Sequence, residues 1–303
     1  MHGSTLLSVS IVANSPKCDG DSVPAVADLD GRVIAIAGAG GGLGPVVAKR
    51  LADAGATLAL ADRTDEHAEA AKEQLGLPEE RVDARAVDLL DESAANDWAA
   101  ALADRTEEHA AAGKEKLGLP EERVDARAVD LLDESAANDW AAALTDRFGG
   151  VDGLLHLVGG YRGGEPIQSF DLADYELLHN LLVRTVQLAS RAFHSAITKS
   201  EHGRFLLVSA TAAQSPTSTN AAYASAKAAA EAWTLALADS FAGSGATANI
   251  IVVNAIETPD MRAENPDQER PSFTPAEDIA EAIAFLCSDA ARRMNGQRFP
   301  LHP

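Results

Sequence analysis

Tyr223-Ala224-Ser225-Ala226-Lys227 sets a phenol and an ammonium four residues apart at the start of a helical stretch, which places both on one helix face. An ammonium beside a phenol stabilises phenolate and draws its pKa down from an ordinary value of about 10. A group tuned in this way can give a proton to a carbonyl oxygen or take one from an alcohol. Tyr and Lys at this spacing are common on ordinary helices, so the pair gains meaning only from its company. Gly38-Ala39-Gly40-Gly41-Gly42-Leu43-Gly44 follows the apolar run Val33–Ala37 and opens a helical pattern. A glycine-rich turn in that place lets backbone N–H groups approach a pyrophosphate at a helix N-terminus. A second apolar run, Thr57–Ala61, ends in Asp62, whose carboxylate can accept hydrogen bonds from both hydroxyls of an adenosine ribose and repel a 2′-phosphate. That favours NAD. Arg63 follows at once and suits a 2′-phosphate, which keeps NADP open.

The elements that must hold these residues are legible as an alternation. Further strand-like runs occur at Gly153–Val158, Phe205–Ser209, Asn249–Val253 and Arg298–Leu301. Their continuous apolar character, without period-two alternation, suits strands covered on both faces. Between them lie helical patterns. Leu43, Val46, Val47 and Leu51 share one face of a helix ended by Gly55, and Leu172–Ile197 and Ala221–Phe241 are two long helical stretches. Thr274-Pro275-Ala276-Glu277 reads as a capping box with Pro at the first helical position. The pattern predicts an α/β fold: a single Rossmann-type, doubly wound parallel sheet flanked by helices. Residues 1–30 lack periodicity and read as a flexible N-terminal extension, which leaves 31–303 as the domain.

Within that domain Asp62–Leu102 is repeated as Asp104–Leu144, with differences only at Asp65/Glu107, Glu69/Ala111, Ala71/Gly113 and Gln74/Lys116. The copies carry net charges of −8 and −6, so they supply −14 of the chain's −21. The acidity therefore reports a duplicated solvated segment rather than a charged partner. Each copy reads as helix–strand–helix, with its strand at Val82–Val87 or Val124–Val129. Two copies fall short of a solenoid.

A charge of −21 disfavours nucleic acid and anionic membrane surfaces. The chain has no apolar run near the roughly 20 residues that span a bilayer. Cys18 and Cys287 fit no metal-ligand spacing and make a poor disulfide framework, so a reducing cytoplasm is expected and a metal is not. Met1–Asn14 carries no Lys or Arg ahead of its apolar stretch, unlike a secretory signal.

The glycine-rich turn, Asp62 and Tyr-x-x-x-Lys, in this order, resemble the short-chain dehydrogenase/reductase family over roughly Gly31 to Leu301, less one copy of the duplication. The resemblance implies hydride transfer between a nicotinamide cofactor, NAD or NADP, and a small-molecule carbonyl/alcohol substrate. It implies Tyr223 as general acid/base, Lys227 binding the nicotinamide ribose and lowering the Tyr pKa, and Asn180 in a structural and proton-relay role. For the cofactor it implies Gly38, Gly40, Gly42, Leu43, Gly44, Asp62, Gly159, Lys227 and Thr258, with Arg63 beside them. An acidic residue follows the third strand in that family; Asp88 of the first copy is favoured over Asp130 of the second. A homotetramer or homodimer is implied, with the two long helices as its natural interface.

Departures from the pattern matter. The family's Asn-Asn-Ala-Gly stands here as His156-Leu157-Val158-Gly159, with His156 read as a structural residue. The family's serine, thirteen residues before the Tyr, is Ala210. Ser209 is the first candidate to replace it and Thr211 the second; either needs a bulge or a longer loop, because neighbours in a strand face opposite sides. These departures keep a non-catalytic dinucleotide-binding protein as the alternative, and an inactive product of the duplication as a third reading. Substrate choice is expected from Glu257–Phe273 and Tyr161–Pro166, where Arg162, Arg262 and Arg270 are available to an acidic substrate.

Overall fold

The computed structural model describes residues 27–62 and 123–302. Nine strands occur there: β1 Val33–Ala37, β2 Thr57–Asp62, β3 Val124–Ala128, β4 Gly153–His156, β5 Arg204–Ala210, β6 Thr247–Val253, β7 Ala255–Glu257, β8 Phe273–Pro275 and β9 Arg298–Pro300. Seven form one sheet in the order β3-β2-β1-β4-β5-β6-β9, and every neighbouring pair is parallel. The short β7 and β8 pair separately. Strand order reverses between β1 and β4, so a crevice opens beyond their carboxyl ends, where doubly wound sheets hold ligands.

The helices are α1 Gly44–Asp53, α2 Glu134–Phe148, α3 Leu172–His179, α4 Thr185–Lys199, α5 Ala221–Ser240, α6 Pro259–Glu264 and α7 Ala276–Cys287. Local chemistry sets their ends. Asp133 caps α2 by accepting from Ser135 N and Ala136 N, and Gly149 ends it at φ +80°. The core lies in two layers. Ile34, Ile36, Leu58, Leu206, Val208 and Ile251 pack against α1 and α7. Val33, Ala35, Leu154, Phe205 and Leu207 pack against α2, α4 and α5. In β5 the even positions therefore face α1 and α7 while the odd ones face α5. Among the described residues no helix is long and apolar enough to cross a membrane.

Four expectations are revised. The extension does not run to residue 30: Ala27 and Leu29 are buried in the core, and Leu29 N donates to Ala54 O at 2.9 Å. The stretch from Leu172 is two helices joined by a π-helical turn, Asn180–Arg184, in which Thr185 N bonds to Asn180 O. Thr274 does not cap α7; it lies in β8 and donates its hydroxyl to Leu301 O, so no side chain caps that helix. The strand beside β2 is Val124–Ala128, from the second copy of the duplication. The acidic residue after it is Asp130; Asp88, the favoured candidate, lies outside the described residues, as does Arg63.

The second copy manages its place at the sheet edge with charge. Asp125 is buried in β3, yet Arg127 binds it through two hydrogen bonds of 2.6 Å and Arg147 through another of 2.6 Å. Burial works against its charge, but the two guanidinium groups outweigh burial and hold the carboxyl below its usual range. Paired charges on an edge strand discourage pairing with another chain.

Candidate active site

The glycine-rich turn owes its path to two close approaches. Gly38 ends β1 at φ +85°, and a Cβ on it would stand 2.7 Å from Val158 N, in the loop after β4. A Cβ on Gly44 would stand 2.2 Å from Ala39 O, so the turn closes directly onto the first residue of α1. Gly38 N and Ala39 N donate to Ala61 O at 2.8 and 3.1 Å, stitching the turn to β2. Gly40 N donates to the Asp62 carboxylate, which carries the turn to the strand's end.

Together these residues help to form a 480 Å³ cavity, lined by Gly38, Gly42, Leu43, Gly44, Asp62 and Thr258. Thr258 caps α6 by accepting from Met261 N at 3.3 Å, and its methyl carbon lies 2.8 Å from where a Cβ on Gly42 would be. Gly159 and Leu157, from the loop after β4, line it too, as do Tyr161, Leu178 and Thr185. The volume falls within the range of roughly 300–1,000 Å³ usual for small-molecule sites. The open helix N-terminus, the cradle that side chains would fill and the carboxylate beyond β2 fit an adenosine pyrophosphate.

Tyr223 and Lys227 meet on one face of α5, as their spacing predicts. Lys227 is 6% exposed; Nζ donates to Val208 O at 3.0 Å and lies 5.9 Å from the centre of the Tyr223 ring. Burial pushes its pKa down to about 8, against a pull upward from Glu231. Tyr223 departs from expectation: burial, with a smaller contribution from Tyr161, pushes its pKa up to about 12. Lys227 spends its hydrogen bond on the strand rather than on the phenol.

His156 is buried and neutral, its pKa pushed down to about 3 by burial and the Lys227 charge. Its Nε2 lies 3.1 Å from Thr185 Oγ1, while Thr185 gives its single proton to Leu181 O at 2.7 Å. Nε2 therefore carries the ring hydrogen, and Nδ1 is buried with no partner among the described residues.

The serine question resolves through strand parity. Ser209 faces α5 with Phe205 and Leu207, and its hydroxyl donates to Glu231 Oε1 at 2.6 Å. Glu231 is 1% exposed and also takes Gln214 Nε2 at 3.0 Å and Arg298 Nε at 2.6 Å. Ser209 thus serves a buried carboxylate; like Tyr223 and Lys227, it is not among the residues that line the cavity. Thr211 Oγ1 turns to Asn254 Oδ1 at 3.1 Å. Asn180 is exposed at the start of the π turn. The loop arginines are paired within the protein: Arg270 with Glu257 at 3.3 Å, and Arg262 with Glu277 at 2.5 Å.

Sequence reasoning missed Thr185 and Glu231, and took Tyr161 only as part of a substrate-choosing loop. Glu231 had a signal: it follows Lys227 by one helical turn on an otherwise apolar face. Tyr161 meets Tyr223 edge to face, ring centres 5.0 Å apart and planes at 70°, a contact between the loop after β4 and helix α5.

Known proteins share this fold. A family model described as short chain dehydrogenase matches residues 32–102. A second, described as enoyl-(acyl carrier protein) reductase, matches 93–301. The chain is 30% identical over 158 residues to the 3-oxoacyl-(acyl-carrier-protein) reductase FabG of Escherichia coli, a match spanning 50% of this chain and 64% of that protein. The chain thus spans less than two thirds of that relative's length. A 3-ketoacyl-(acyl-carrier-protein) reductase from Brucella melitensis, solved with NADH, superposes with a TM-score of 0.66 at 23% identity, covering 90% of this chain and 98% of that one. A blue fluorescent protein from a metagenomic library, solved with NADPH, gives a TM-score of 0.66 at 24% identity over 90% and 97% of the two chains. With the second family model covering well over half of its length, this chain belongs to the short-chain dehydrogenase/reductase family.

Proposed function

We propose that this protein is an NAD-dependent oxidoreductase that interconverts a carbonyl compound and its alcohol, with Tyr223 as the proton donor and acceptor. The observation that carries this reading is the layout of one cavity. It is lined by the glycine turn and by Asp62 at the end of β2, and also by Tyr161, whose ring packs on Tyr223. A bound nicotinamide dinucleotide supplies or accepts the hydride.

The chain's own residues do the rest. Gly38, Gly42 and Gly44 pack closely on Val158, Thr258 and Ala39, and this tight turn brings the N-terminus of α1 to the cavity, where a pyrophosphate would bind. Asp62 accepts ribose hydroxyls and opposes a 2′-phosphate by charge, which favours NAD over NADP. Thr258 stands over the same cavity beside Gly42 and is available to a carboxamide. The Tyr223 phenol, held protonated, donates its proton to the substrate oxygen during reduction. Lys227, fixed by Val208 O, supplies positive charge near the phenolate left behind. His156, neutral and buried, takes no proton from the reaction.

The relatives suggest the substrate class: a 3-oxoacyl group, for which ethyl acetoacetate is a small surrogate. Self-association falls to the 520 Å³ groove between α4 and α5, lined by half-buried Trp233 and His194. Titration with NADH and NADPH, followed by nicotinamide fluorescence, tests the cofactor reading. Saturable binding that is tighter for NADH supports it, and no binding at millimolar concentration overturns it. Reduction of ethyl acetoacetate that disappears in Tyr223→Phe supports the catalytic role, and a rate unchanged by that substitution removes it.

A further inference from the structure

The site as described has one proton donor and lacks a second hydrogen-bond donor for the substrate oxygen. Ala210 has no hydroxyl, Ser209 is committed to Glu231 and Thr211 to Asn254. Thr185 lines the cavity but gives its proton to Leu181 O. A developing alkoxide needs such donors, and loss of one typically costs 10²- to 10³-fold in rate.

We propose that Tyr161 is a second catalytic residue, a phenol that donates a hydrogen bond to the same substrate oxygen that Tyr223 protonates. The inference rests on the reading of Tyr223 given above. Tyr161 lines the cavity and packs edge to face on Tyr223 with ring centres 5.0 Å apart. Neither phenol hydroxyl has a hydrogen-bond partner among the described residues, so both are available to a ligand. Tyr161 is 55% exposed, which leaves room for a substrate to reach it. Its electrostatic influence on Tyr223 is a further sign that the two hydroxyls share one space.

The loop carrying Tyr161 is built to hold it there. Gly164 N donates to Thr219 O at 2.8 Å, which pins the loop to the segment leading into Tyr223. A Cβ on Gly163 would lie 2.5 Å from the Tyr161 hydroxyl and 3.0 Å from Thr219 O. Glycine is thus the residue that lets the phenol fold back over its own loop. During reduction the proton that reaches the substrate oxygen comes from Tyr223. Tyr161 keeps its own proton and contributes only the hydrogen bond, which shortens as charge builds on the oxygen.

The test uses the full chain with two substitutions, Tyr161→Phe and Gly163→Ala. The first keeps the ring and removes the hydroxyl; the second keeps the hydroxyl and displaces it. In the reduction of ethyl acetoacetate by NADH, kcat falls roughly 10²-fold in Tyr161→Phe, with KM and NADH affinity changed by no more than about twofold. Gly163→Ala shows the same split between kcat and KM. A kcat within about twofold of wild type in Tyr161→Phe overturns the proposal.

A second readout needs no turnover. The chain has three tyrosines, Tyr161, Tyr175 and Tyr223, so phenolate absorbance in the near ultraviolet can be assigned by substitution. Tyr223 titrates at lower pH in Tyr161→Phe than in wild type if the hydroxyls are neighbours, and at unchanged pH if they are not; the latter also overturns the proposal. Failure of the broader reading looks different: wild type binds neither dinucleotide, or Tyr223→Phe retains the wild-type rate.

Discussion

The ammonium of Lys227 lies 3.0 Å from the carbonyl oxygen of Val208, so the cation beneath Tyr223 is tied to the central strand β5 and not to the phenol. A buried cation with one neutral partner costs stability at neutral pH, and that cost depends on pH in a definite direction. The folded-state pKa is about 8, below the ordinary value of 10.5. Between these values the unfolded chain binds more protons than the folded one, so stability rises with pH across the window and is lost again as pH falls through the lower value. The penalty below about 8 is on the order of 3 kcal/mol. In Lys227→Met this pH dependence disappears, so wild type gains on the variant as pH is raised from 8 to 10.5 in denaturant titrations. A constant difference between the two proteins would show that the ammonium is not buried.

Tyr223 sets a second pH dependence. With its pKa at about 12 the phenol is fully protonated near neutrality. Carbonyl reduction, which uses the acid form, is expected to be flat in pH. Alcohol oxidation needs phenolate, and its kcat/KM is expected to rise about tenfold per unit between roughly pH 7 and 10. A plateau of the oxidation limb near pH 7 or 8 would place the phenol's pKa far below this.

Ser209→Ala separates a structural hydroxyl from a catalytic one. The substitution leaves a buried carboxylate, Glu231, short of one donor while keeping Gln214 and Arg298. Stability is expected to fall by about 1–3 kcal/mol in urea titrations. The turnover number is expected to stay within about twofold of wild type. A hundredfold loss of turnover with unchanged stability would restore the serine to the reaction.

Asp62→Ala tests cofactor choice. The carboxylate accepts from Gly40 N and is placed to accept ribose hydroxyls. Losing charge-assisted hydrogen bonds worth ~1.5–3 kcal/mol weakens NADH about 10- to 100-fold, with a smaller loss for NADPH. Equal losses for both dinucleotides would assign Asp62 to the turn's structure alone.

The parts of the fold legible from sequence were those set by local physics. Parallel strands buried on both faces read as unbroken apolar runs, which is how β1, β2, β4, β5 and β6 were found. The glycine turn was legible because its close contacts, such as Gly44 on Ala39 O, lie within a few residues. What escaped depended on tertiary partners. Strand spacing alone left open whether Ser209 or Thr211 replaces the serine expected at Ala210; tertiary partners turn the first to Glu231 and the second to Asn254. Identical strands in the two copies of the duplication gave periodicity nothing with which to choose between Asp88 and Asp130. Thr274 had the form of a cap, but Leu301 O, from the far end of the chain, claims its hydroxyl. Tyr161 was noted only as part of a loop, because its partner lies 62 residues away.

The wall that Gly42 and Thr258 share has a consequence for biosynthesis. The methyl carbon of Thr258 fills the space in front of Gly42, although 216 positions separate them in the chain. Contacts of such long range form late, since the intervening chain must be ordered first. A nascent polypeptide that ends before Thr258 would carry the complete glycine turn and yet no finished dinucleotide pocket. A dinucleotide bound there stabilises the folded molecule by mass action.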